Sequence, residues 1–104
     1  MPLREGVPSD PELLSLSSEL GAKWKNLARA LGIPEAHIEV VEEESRKVVE
    51  KSYQLLLLWK QANGVGATFG ALEAGLCHAV VLRRDLAEKY CHYQGVPQEN
   101  DLIE

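Results

Sequence analysis

Apolar residues in this chain recur at intervals of three and four, in short stretches bounded by helix-capping and helix-stopping residues, and no stretch alternates apolar with polar positions. That period places them along one face of a helix and leaves no vocabulary for a sheet. The first stretch opens at Ser9-Asp10-Pro11-Glu12. Asp10 suits a cap, Pro11 suits the first helical position, and Ser9 with Glu12 has capping-box spacing. Leu13, Leu16 and Leu20 follow, and Gly21 stops the run. The second stretch, Lys23 to Leu31, carries Trp24, Leu27, Ala28 and Leu31 on one face and closes at Gly32. Pro34 opens the third, with Ile38 and Val41 on its buried side, Val40 nearby, and Glu35, Glu39, Glu42, Glu43 and Glu44 on its wet side.

The fourth stretch runs from about Arg46 to Ala62. On a helical wheel Val49, Ser52, Tyr53, Leu56, Trp59 and Lys60 share a stripe, Leu55 and Leu57 flank it, and Leu58 points nearly away. Asn63-Gly64-Val65-Gly66 reads as a turn. Thr68 caps a fifth helix with Phe69, Leu72, Leu76 and Val80 on its apolar side. Gly70 and Gly75 inside it each cost roughly 1 kcal/mol relative to alanine, which implies close packing or a locally weak helix. Asp85-Leu86-Ala87-Glu88 has capping-box spacing and starts a sixth helix with Leu86, Ala87 and Tyr90, reaching about Tyr93.

With 104 residues, 45% of them hydrophobic, the chain has core enough for one domain and not for two. The expectation is a compact all-α bundle over residues 9–93, with Trp24, Leu27, Ile38, Tyr53, Leu56 and Trp59 in its core. Residues 1–8 and 94–104 read as flexible segments. The longest apolar run, Leu55 to Trp59, is far short of the ~20 residues a membrane span needs, and Met1 to Gly6 has no signal-peptide core. The chain therefore reads as soluble and cytoplasmic.

The chemistry of catalysis is sparse. There is no phosphate-binding glycine loop, no Gly-x-Ser-x-Gly elbow and no His-Glu-x-x-His pair. His37, among glutamates, reads as a solvated histidine. Cys77-His78 and Cys91-His92 offer four metal-ligating side chains, but adjacent helical residues diverge by about 100°, and zinc pairs are usually two to four residues apart. No metal, cofactor, disulfide or catalytic role is expected of them.

Charge is distributed unevenly. The net charge is −5, a poor balance for nucleic-acid binding. Residues 32–45 hold five glutamates and no base, whereas residues 21–31 hold Lys23, Lys25 and Arg29 and no acid. Arg83-Arg84 is a second basic spot. Segregated opposite charges on a small domain permit head-to-tail association, steering encounter and selecting partners.

The string Leu20-Gly21-Ala22-Lys23-Trp24-Lys25-Asn26-Leu27-Ala28-Arg29-Ala30-Leu31-Gly32-Ile33 resembles the start of a death domain. Ile38 to Glu42 is similar to that family's third helix, Tyr53 to Lys60 to its fourth, Gly66-Ala67-Thr68 with Leu72 and Leu76 to its fifth, and Asp85 to Glu88 to its sixth. The likeness spans Leu13 to Tyr93. It implies a six-helix antiparallel bundle of Greek-key topology and a non-enzymatic adaptor that binds other death-domain proteins or itself in apoptotic or NF-kappa-B signalling. By position, the acidic partner-binding face is Glu39, Glu42 and Glu43, and the basic one is Lys23, Lys25 and Arg29. A secondary surface is Lys60, Gln61 and Asn63, with Arg83 and Arg84. Two features depart from the family pattern: Cys77-His78 on the fifth helix and the leucine-rich run Leu55 to Leu58. The other classes open to a short helical chain are a nucleic-acid-binding module, which would carry a basic recognition helix, and a regulatory ligand-binding domain, which would need a polar pocket.

Overall fold

The structure, a computed structural model, describes residues 2–92. These form α1 (Asp10–Leu20), α2 (Trp24–Ala30), α3 (Glu35–Glu44), α4 (Val48–Asn63), α5 (Phe69–Leu76) and α6 (Arg84–Cys91), with 3-10 turns at Gly21–Lys23 and Gly64–Gly66. The capping residues explain several boundaries. The Ser9 side chain accepts from the Glu12 backbone, and the Glu12 carboxylate accepts from the Ser9 backbone at 3.0 Å. Thr68 accepts from the Ala71 backbone at 3.1 Å. Gly32, at φ +84°, turns the chain between α2 and α3 in a region that side chains disfavour.

Helix α4 is the axis of the packing, since α1, α2 and α3 all lie against it, and α6 packs on α1 and α5. Its buried face is Ser52, Leu55, Leu56 and Trp59, so the stripe is rotated from the expected one. Leu55 is fully buried, Tyr53 is half-buried against the core, and Val49 is exposed. Three neighbouring helices demand a wider apolar arc than one wheel stripe, which is why the leucine run exists. Trp24, Leu27, Ile38, Leu56 and Trp59 are all buried.

Gly75 is a close-packing residue. A Cβ there would lie 2.7 Å from Leu31 Cδ2 and 3.0 Å from Leu27 Cδ1, so its absence lets α5 approach α2.

Two expectations at the far end of the chain differ from the structure. Helix α5 ends at Leu76, and Val80 lies in the connection with its side chain exposed. Val81 takes the buried position instead. Asp85 does not cap α6; the N-cap is Arg83, without a side-chain cap, and the Asp85 carboxylate instead receives the Arg83 guanidinium at 3.0 Å. Leu82 in this connection sits at φ +54°, a left-handed conformation costing a non-glycine residue about 1–2 kcal/mol.

Residues 2–8, assigned by sequence to a flexible lead-in, lie across α5 and α6. The Arg4 N–H donates to the Cys91 carbonyl at 2.8 Å, the Phe69 N–H donates to the Gly6 carbonyl at 3.1 Å, and Leu3 pairs with His92 in an antiparallel bridge. The Arg4 guanidinium lies 4.2 Å from the Phe69 ring centre and pairs with Glu12. The tail assigned to residues 94–104 lies outside the described residues.

Candidate functional site: the charged faces

Helix α2 presents Lys25 and Arg29, and α3 presents its glutamates. The short Leu31–Pro34 connection sets the two helices side by side. Much of the segregated charge therefore neutralises within the chain. Arg29 grips Glu35 with Nε at 2.7 Å and Nη2 at 3.3 Å. Glu42 sits between Lys25, at 2.6 Å, and Lys51 of α4, at 2.8 Å, and so bridges three helices. Both ammonium groups hold the Glu42 carboxylate, and Lys51 donates a hydrogen bond to it. Glu42, placed by sequence on the wet side of α3, is half-buried and ties the three helices together. Glu39 and Glu43 are exposed and, like Lys23, have no ion-pair partner among the described residues.

The secondary surface divides in the same way. Lys60 donates to Asp10 at 2.8 Å, and Asn63 donates to the Trp59 carbonyl at 2.8 Å. Arg83 is held by Asp85 and also donates to the Glu19 carbonyl at 3.2 Å. Gln61 and Arg84 remain exposed. Beside Lys60 and Gln61, Val65 is 93% exposed on the turn between α4 and α5. Sequence periodicity assigns no role to a turn valine, so it gave no signal.

Among the described residues, five carboxyls are held below the usual range. Burial raises Glu12, but the Ser9 backbone N–H and Arg4 outweigh it. Glu19 is lowered by Lys89 and Tyr90, Glu35 by Arg29, Glu42 by Lys25 and Lys51, and Asp85 by Arg83. A carboxyl depressed on folding contributes stability above its unfolded pKa and loses it as pH falls through the folded value. The melting temperature should hold from pH 7 to about 5 and fall steadily below about 4.5. A flat profile from pH 5 to 3 would contradict these pairings.

The two cysteine–histidine pairs approach each other, with Cys77 and His92 lining one depression beside Glu73 and Glu88, but they do not assemble a metal site. The His92 ring is paired with Glu73, and the His78 ring accepts from the Val80 backbone at 3.2 Å. Among the described residues no three metal-ligating side chains gather. Burial, with Glu73 nearby, pushes the Cys91 thiol up to about 12, so the thiolate that attacks electrophiles or binds metal is scarce at neutral pH. Iodoacetamide should label the half-exposed Cys77 in the native protein and Cys91 only after unfolding, and native mass spectrometry should show no bound zinc. Rapid native labelling of Cys91, or a zinc increment, would overturn this reading.

Compared with known proteins, the chain matches the death domain family model over residues 10–92. The chain is a death domain. Human tumor necrosis factor receptor superfamily member 25 is 38% identical over 61% of this chain. Human receptor-interacting serine/threonine-protein kinase 1 is 35% identical over 65%, and bovine FAS-associated death domain protein is 31% identical over 67%. The aligned parts span only 11 to 36% of those relatives' lengths. No solved structure matches significantly. The all-α antiparallel bundle, Greek key in topology, is thus the family's fold, and the domain is a protein-interaction module of a generally non-enzymatic kind. No described helix is long and apolar enough to cross a membrane.

Proposed function

We infer that this death domain acts by binding another death domain, or a second copy of itself, in cytoplasmic receptor-proximal signalling of the apoptotic or NF-kappa-B type. The similarity to a receptor, a receptor-interacting kinase and a FAS-associated protein supports the setting. The observation that carries the reading is the surplus of charge on α3 after internal pairing. Glu35 and Glu42 are engaged in cis, whereas Glu39 and Glu43 stand exposed without ion-pair partners among the described residues. These two carboxylates face a partner's basic patch, and Lys23, with the half-exposed Lys25, offers such a patch in return. Lys60, Gln61, Asn63, Arg83 and Arg84 form the secondary surface, where Val65 supplies apolar contact. Nucleic acid, membrane insertion and bound metal have no part in this reading.

Each exposed ion pair contributes only about 0–1 kcal/mol, so single reversals have small effects. Glu39→Lys combined with Glu43→Lys changes the local charge by about four units and turns attraction into repulsion. Association measured by light scattering and pull-down should weaken at least about tenfold, with the circular dichroism unchanged because neither side chain ties helices together. Intact association with intact helicity would remove this face from the interface. Glu42 is unsuited to the test, because its reversal also breaks the link between α2, α3 and α4.

A further inference from the structure

Leu82 is the residue that the fold's own stability explains least. It is 70% exposed, it holds a left-handed backbone, and it lies between exposed Val80 and exposed Arg84. A leucine that strains the backbone and buries little is a poor contributor to folding, since glycine would serve the turn better. Arg84 has no ion-pair partner among the described residues, whereas Arg83 is occupied by Asp85. The connection thus presents an apolar knob with Arg84 beside it, a guanidinium that makes no ion pair among the described residues though Glu73 and Glu88 line the same depression.

Two shallow depressions elsewhere among the described residues are large enough to admit a side chain. One, at the end of α4, is lined by Val7, Leu57 and Val65, but its charged rim is already a closed Lys60–Asp10 pair. The other lies between α3 and α4. Val40, Val41 and Leu58 line it together with Ser45, Gln54, Glu44 and Glu50, and neither glutamate has an ion-pair partner among the described residues. Arg46 and Lys47, on the connection between these helices, lie outside the lining. An arginine-flanked leucine is complementary in charge to the second depression and not to the first.

We propose that the Leu82 knob of one copy seats in the α3–α4 groove of a second copy, with Arg84 against Glu44 and Glu50. Helix α5 and helix α6 pack on α1 and α2, whereas the groove is built on α3 and α4, so knob and groove occupy separate parts of the chain. Such a contact joins unlike surfaces and propagates head to tail. This assignment rests on the homotypic reading above and names the surfaces that serve self-association.

The test uses the whole chain. Leu82→Gly removes the knob and relieves the left-handed strain, so the melting temperature should stay level or rise while self-association weakens at least about tenfold. Glu44→Lys with Glu50→Lys should weaken self-association comparably from the groove side. Mixing the two variants should restore pairing, limited to one-to-one heterodimers, because one intact groove then meets one intact knob. If the unmodified chain self-associates and Leu82→Gly associates equally well, the knob assignment fails while the homotypic reading stands. Failure of the two variants to pair on mixing also overturns it, as does a strictly monomeric unmodified chain.

Discussion

Trp59→Ala is expected to cost about 3–5 kcal/mol, the range for removing a buried large aromatic. The indole is 2% exposed on α4, the helix against which α1, α2 and α3 pack. Loss of the ring removes apolar burial and leaves a cavity. Small domains have about 5–15 kcal/mol in total, so the variant should be largely unfolded under mild heating or low denaturant. Urea unfolding followed by circular dichroism measures it. A midpoint within a few tenths molar of the unmodified chain would remove Trp59 from the core.

Deleting residues 1–7 should cost about 2–4 kcal/mol, combining two backbone hydrogen bonds with the stacking of the Arg4 guanidinium on Phe69. The Arg4 N–H to Cys91 carbonyl bond and the Phe69 N–H to Gly6 carbonyl bond both go, and the buried Pro8 loses its lead-in. Arg4→Ala isolates the side chain. It should destabilise more at pH 7 than at pH 3, because the Glu12 carboxylate that Arg4 pairs with is neutralised in acid. A deletion that melts with the full chain would show that the segment contributes nothing to the bundle.

The contrast between these two sites shows what the sequence conveys. Trp59, Leu27 and Ile38 announce themselves by spacing, because burial of one helix face is a local pattern. Ser9, Glu12 and Thr68 do so because capping is local chemistry. Arg4 gives no such signal: its partners are Glu12, Phe69 and Tyr90, the last 86 residues away. The rotation of α4 toward Leu55 was hidden for a related reason, since the width of a buried arc depends on how many helices surround it. The charged faces were legible as composition, but their pairing was not. Glu42 reads as one of five similar glutamates, and only the approach of α2 and α4 singles it out as a tie. Asp85 illustrates competition, since its carboxylate could cap α6 but Arg83, two residues earlier, takes it.

The association of this death domain with its own kind is tested most directly by sedimentation velocity. The chain is run alone across a wide concentration range, and again mixed with FAS-associated death domain protein, at low salt and at about 0.5 M salt, where screening shortens the reach of surface charge to well under 10 Å. Larger species that grow with concentration at low salt and dissociate at high salt are the predicted result. A single monomeric boundary under all conditions, alone and mixed, would contradict it.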